Sequence, residues 1–532
     1  MAQISSNQII FDYSDFVVGA AKNNAVKGIV NPSNQLVSNF DPFRNYGVAQ
    51  PGKNAVNATN NAVLVGAIVA AKLKNDTLAY GVDGGGKFHE YDYSANVITN
   101  AGVFPTTLSG TTPIGQDVII YKHNSGGVPV FSPFFSWYNT VNWNIGCFVN
   151  YTGTPDDDYM STIPATPLDI ASASPADGRD VAQKSAPHPM EIGSDDILYI
   201  GSGRYLHAYD GATGSAGTFS SRVLTLPQGF TITSLLKSQD KLLIAGVYSG
   251  VLGTVNATNI ASAGEALVYV WNYIDLDVTQ VIPLDDPYVS AIFSWRGRPC
   301  VITIGESEGF GTLSATKLKI ISGNTAEKVA EFQGTVLPGG IDAGSRVLYV
   351  NANGIIYAIG DNIRDGYSVN QIMSCVSTGV AGWIKNIVGN VLLASGSTGS
   401  THSQSRFLST SFASSARLAT CYYQVPLLGG MKAQVSSVQI EYYSVVTDAT
   451  VGLTLSINYD MNAGASGSTV ISALRNVVVP AQKIYTKAAD GSPFKAFSTI
   501  ALDMIWSDVS GNTSTVQVSR IIVNYKLVAI GA

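Results

Sequence analysis

The chain has 532 residues, 45% of them hydrophobic and only 13% charged, and a net charge of −6 at pH 7. Soluble domains carry about 25% charged residues, so part of this surface is expected to lie against partners. Affinity for nucleic acid rests on neutralising phosphates with Lys and Arg; an acidic chain without basic runs excludes a protein held on DNA by charge, though not one that lies beside it.

The longest apolar run, AVLVGAIVAA at residues 62–71, falls short of the about 20 residues that a membrane-spanning helix needs. MAQISSNQII at the N-terminus has neither the basic region nor the apolar core of a secretory signal. Cys147, Cys300, Cys375 and Cys421 stand far apart, without the close pairing of a zinc site. That pattern predicts buried free thiols in a protein made in a reducing compartment.

Residues 1–58 set Phe11, Tyr13, Phe16, Phe40 and Phe43 among Asn, Pro and Gly. This predicts an extended N-terminal arm, lying on its own domain or on a neighbour. From residue 59 the chain repeats. ILYIGSGRYLHAYD (197–210) aligns without a gap on VLYVNANGIIYAIG (347–360), and TLAYGVDGGGKFHEYD (77–92) has the same plan with a longer turn. Each reads as a strand, a glycine or asparagine turn and a second alternating strand. Gly and Asn stand there because positive φ costs them least.

Weaker copies occur at 117–134, 241–273, 298–321 and 390–410, which makes seven hairpins with second strands about 40 to 77 residues apart. A period of about 40–50 residues is that of a β-propeller blade. The expected fold is thus a seven-bladed propeller (six to eight) over 59–421. A polar Pro/Ala/Ser-rich excursion interrupts it at 154–190. Beyond 421, long alternating strands such as VSSVQIEYYSVV (435–446) and STVQVSRIIVNYKLV (514–528) predict a β-sandwich over 422–532. The whole is all-β, and VISALRNVV (470–478) is the best short stretch for a helix.

Chemistry is scarce. His89 and His207 each precede a Tyr-Asp pair by two residues, and the third copy has Tyr357 in their place, so they read as blade packing. Asp156, Asp157 and Asp158 lack the alternate spacing of a calcium loop. Glu306 and Glu308 share a strand face without the cleft that glycosidase carboxylates flank. Trp137, Tyr138 and Trp143 suit sugar stacking but read first as propeller core. The serine-hydrolase elbow, the zinc-protease motif, the sialidase Asp box and the WD and kelch signatures are all missing. No catalytic, cofactor-binding or metal residue is expected.

With IIFDYSDFVVGA in the arm, ILYIGSGRYLHAYDG in the blades and STVQVSRIIVNYKLV at the close, the chain resembles virion structural proteins of tailed bacteriophages, of the tail nozzle or tail-tube type. The resemblance implies a homo-oligomeric ring around the DNA ejection channel. It also implies portal, adaptor or other tail proteins as partners, viral DNA passing without specific binding, and assembly in the host cytoplasm into the virion tail. The alternatives are a receptor- or carbohydrate-binding virion protein using a propeller face, and a propeller glycoside hydrolase or lyase.

Overall fold

A computed structural model describes residues 8–13, 26–27, 34–38, 56–64, 66–85, 87–101, 114–125, 128–138, 143–148, 160–161, 188–210, 218–248, 264–305, 315–332, 334, 336–362, 366–374, 380–387, 391–398, 401–407, 415–420, 423–424, 431–443, 452–460, 468–475, 481–507 and 517–529. Among these the protein is all-β, and its only helical element is the single 3₁₀ turn Asn61–Val63. The described part of VISALRNVV, residues 470–475, is no helix: Ser468–Arg475 pairs as a strand with Gly452–Tyr459. Its β-branched Val470 and Ile471 fit a pleated surface better than a helix.

Seven four-stranded sheets are present among the described residues. Their first strands are Ile68–Leu73, Ile114–Ser125, Met190–Ile192, Phe230–Ser238, Tyr288–Trp295, Val336–Asp342 and Val380–Ile387. Each first strand packs against the next, and the seventh packs back on the first. The seventh sheet takes Val56–Asn57 from the opposite end of its chain segment as its fourth strand. Around that seam Ala58 N donates to Gln404 O at 2.8 Å.

All seven hairpins form paired strands. The two gap-free copies turn tightly. Ser202 faces Tyr205 across Gly203 (φ 55°), and Asn353 (φ 49°) and Gly354 (φ 85°) make the other turn. The longer turn of the first sheet is held by Asp83, whose Oδ1 accepts from Gly85 N at 2.9 Å and Lys87 N at 2.8 Å. One hairpin differs in place. In six sheets it supplies the second and third strands, whereas 117–134 supplies the first and second of its sheet. There the third strand is Trp143–Phe148, within FFSWYNTVNWN. That offset accounts for the widest gap in the sequence spacing. Met160–Ser161, inside the stretch read as an excursion, is that sheet's fourth strand; residues 162–187 lie outside the described residues.

In six sheets the pairing of the first strand with the second slips, skipping Val69, Gln116, Thr233, Ser290, 337–340 and 382–383. Such bulges tighten twist and re-aim side chains. They also bring one sheet's polar groups to the first strand of the next sheet. Met190 N donates to Asp117 Oδ2 at 3.0 Å, Ile292 N to Ser234 Oγ at 3.1 Å, Asn386 N to Asp342 Oδ2 at 2.7 Å, and Ile68 N to Ser395 Oγ at 2.8 Å. Asn351, fully buried, donates Nδ2 to Gly382 O and Ser395 O. Buried N–H groups demand partners, and four of these edges receive one from the preceding sheet. Apolar clusters fill the space between sheets, as where Leu243, Val268 and Val270 meet Val289, Ile292 and Val301. Gly339 touches the Val69 backbone so closely that no side chain fits there.

The chain divides into two compact units: residues 57–355 with 375–406, and residues 1–56, 356–374 and 407–532. In the second, Met431–Tyr443 and Gln517–Ala529 pair along their length in one sheet, while Thr499–Ser507 pairs with Ser415–Thr420 and Gly452–Tyr459 in another. Side chains of both sheets share one core: Val438, Ile440, Ile521 and Val523 from the first, Leu418, Leu455, Leu502 and Trp506 from the second. Strands Gln8–Tyr13, Val26–Lys27 and Asn34–Ser38, from the segment read as an arm, are also paired in these two sheets.

Candidate functional site

The first strands of the seven sheets line an open cavity of about 460 Å³. Its wall is mixed: Leu235, Ile292, Phe293 and Trp383 beside Lys72, Asp117, Glu191, Asp342 and Lys385. Bulges place these side chains. Lys72 and Lys385 follow the slips of their strands, and Asp117 and Asp342 adjoin theirs. Glu191 stands opposite Tyr199 and Asp342 opposite Tyr349, the tyrosines of the two gap-free repeats.

The charges form two groups. On one side Lys385 Nζ meets Asp342 Oδ1 at 2.7 Å. Asp342 also accepts from Asn386 N and, at 3.3 Å, from Gly344 N. This pair is closed on itself. On the other side Asp117 and Glu191 face Lys72. Burial raises the pKa of Asp117, opposed by Lys72 and by the Met190 and Val118 amides. Burial also raises Glu191, with Lys72 opposing and the Asp117 charge adding to the rise. Both oxygens of Asp117 accept backbone N–H groups. Among the described residues Glu191 accepts only from Ile192 N, at 3.2 Å, which leaves it the more open of the two carboxylates to a proton or a cationic ligand.

The residues singled out in the sequence lie elsewhere. His89 is fully buried, with Nε2 2.8 Å from Asp83 Oδ2, and braces the long turn of the first sheet. His207 is 2% exposed, and its Nδ1 accepts from Arg222 N at 3.2 Å. Neither lines the cavity. Cys300 is a buried free thiol, pushed up to about 12 by burial. Cys375, Cys421, Asp156–Asp158, Glu306 and Glu308, and the side chains of Trp137, Tyr138, Trp143 and Cys147 lie outside the described residues. Among the described residues no group of three His, Cys, Asp or Glu is placed to hold a metal ion.

Sequence reading missed the five charged cavity residues. Lys72, Glu191 and Asp342 precede the repeat strands, and their partner positions become visible only once the pairing register is known.

Burial pulls His207 down to about 3 from 6.5, aided by His188 and Arg222. Between those values the unfolded chain binds the proton more tightly than the folded one, so stability falls as pH falls. Over two pH units the loss is up to about 2–3 kcal/mol. Asp117 and Glu191 act oppositely: folding raises their proton affinity, so acidification relieves them. The His207→Gln variant isolates the histidine. Its unfolding midpoint in denaturant is expected to fall less between pH 6.5 and 4.5 than that of the unaltered chain; equal falls would show that His207 contributes nothing.

No protein-family model matches the chain, and no curated protein matches its sequence. Solved structures similar to it include the β-propeller domain of Myceliophteria thermophila Cps50 (Swd1), 8% identical, covering 67% of this chain and 99% of that one at a TM-score of 0.40. YCF48 bound to D1 peptide is 8% identical, with 68% and 98% covered at 0.42. The computationally designed Ika8 protein is 11% identical, with 67% and 100% covered at 0.37.

Proposed function

We propose that the chain is a structural subunit of a phage tail, of the nozzle or tube type, which assembles into a homo-oligomeric ring around the DNA ejection channel and performs no catalysis. In this reading the seven four-stranded sheets are the blades of a seven-bladed propeller, and the two sheets sharing the Trp506 core are a C-terminal β-sandwich. The net charge of −6 suits a conduit, because like charge keeps the DNA backbone from being trapped.

Apolar side chains left in water carry the reading. With 13% charged residues, the chain still exposes Ile274 at 84% and Leu276 at 93%. Their loop is held rigid: Asn272 Oδ1 accepts from Ile274 N and Asp275 N, and Trp271 Nε1 donates to Asp275 O at 2.7 Å. A fixed loop that presents two large apolar side chains is a docking element. In the other unit Ile484 is 60% exposed.

Replacing Ile274 and Leu276 together by serine is expected to change stability by less than about 0.5 kcal/mol per site while lowering the mass of the oligomer. Light scattering on the purified chain measures this. An oligomer of unchanged mass would remove the loop from the contact, and a chain monomeric from the start would oppose the ring.

One observation favours a second reading, receptor or carbohydrate binding. The cavity of about 460 Å³ lies within the about 300–1,000 Å³ of small-molecule sites. A saccharide that raises the melting temperature of the unaltered chain but not of a Glu191→Gln variant would support it.

A further inference from the structure

The three N-terminal strands share one property of place. Gln8–Tyr13 pairs only with Gln517–Ala529, at the edge of its sheet. Val26–Lys27 pairs only with Tyr423–Gln424, in parallel, and Asn34–Ser38 only with Ser415–Thr420. Among the described residues each is thus a terminal strand, and the same short segment edges both sheets of its unit. Main-chain ladders join it to those two sheets, and the same segment of another copy can make the same ladders; Asn34–Ser38 also lies against Gly366–Ser374.

The sequence supplies the reach. Residues 39–55 separate the last of these strands from Val56. An extended chain spans at most ~3.3–3.6 Å per residue, which allows up to about 56–61 Å. A segment that adds only edge strands through a long connection meets the conditions for exchange between identical subunits.

We infer that residues 8–38 are exchanged in the assembled protein: the N-terminal strands of one copy complete the sheet edges along Gln517–Ala529, Tyr423–Gln424 and Ser415–Thr420 of the next copy. The partner is a second copy of this chain, recognised by main-chain pairing and by the register recorded within one chain. Head-to-tail donation of this kind is heterologous, so it closes into a ring when the rotation per copy allows. The inference rests on the homo-oligomer proposed above.

The register names the test. Asp12 lies opposite Ile522, at the separation of paired strand Cα atoms, about 4.5–5.5 Å, which suits a disulfide. Two differently tagged chains, one Asp12→Cys and one Ile522→Cys, are co-expressed, purified as the assembly and oxidised. Each variant oxidised alone sets the background from the four native cysteines. Exchange is expected to link the two tags in a species of twice the 56.0 kDa chain mass. Mass spectrometry then finds the disulfide-linked peptide that joins positions 12 and 522.

A chain carrying both substitutions that links only within itself, with no mixed-tag product, would overturn the inference, as would the absence of a link in both preparations. Light scattering on the same samples separates the two claims. An oligomer without mixed-tag linkage removes exchange and leaves the ring, whereas a monomer removes both.

Discussion

Replacing Asp342 by leucine is expected to destabilise the unit of residues 57–355 and 375–406 by about 3 kcal/mol, the effect of removing one partner from a mostly buried, hydrogen-bonded ion pair. Asp342 is 3% exposed and binds Lys385 Nζ at 2.7 Å, Asn386 N at 2.7 Å and Gly344 N. Leucine leaves the Asn386 amide and the lysine without their partner where the sixth sheet meets the seventh. Asp342→Asn keeps an acceptor for the amide and is expected to cost about half as much. Denaturant midpoints of the two variants measure the difference. Equal losses would mean that charge alone matters there, and no loss would mean that the cap on Asn386 is dispensable.

The second large effect is in the other unit. Trp506 is fully buried between the two sheets, among Leu453, Leu455 and Met504 and the side chains they face. Truncating a buried tryptophan to alanine removes its transfer free energy and leaves a cavity, together about 3–5 kcal/mol. Trp506→Ala is therefore expected to unfold residues 415–529 at a lower denaturant concentration, seen by hydrogen exchange as lost protection across Met431–Tyr443 and Gln517–Ala529. Unchanged protection would show that the sheets do not depend on that shared core. Arg417 and Asp503, paired at 2.7 Å with Arg417 44% exposed, offer a contrast: an exposed pair contributes about 0–1 kcal/mol.

What is legible in the sequence is local. Strand–turn–strand segments declare themselves by alternating β-formers around Asn and Gly, and Asn353-Gly354 turns where that pair predicts a turn. The second sheet shows the limit. Residues 117–148 hold three consecutive strands of equal β character, so the pattern places the hairpin one strand early.

The cavity is illegible for another reason. Its first strands are short or bulged, as in VLPGGID, where Val336 and Ile341 pair but 337–340 do not. A broken alternation hides which side chains face inward. The N-terminal strands read as an arm because their partners lie hundreds of residues away in sequence, and no local pattern encodes such a pairing. Buried polar residues tell least of all: His89 and His207 recur with the repeat yet make different bonds, one to Asp83 and one to the Arg222 amide.

The central proposal is that this chain is an assembly part of a phage tail, with the exposed loop of Ile274 and Leu276 as its docking element. Immunogold electron microscopy with antibody to this chain, on particles from the lysate that produces it, tests that claim most directly. Gold confined to the tail axis is the expected result. Gold on fibres or on the capsid surface would contradict it, and so would particles that stay unlabelled after mild denaturation has opened buried epitopes.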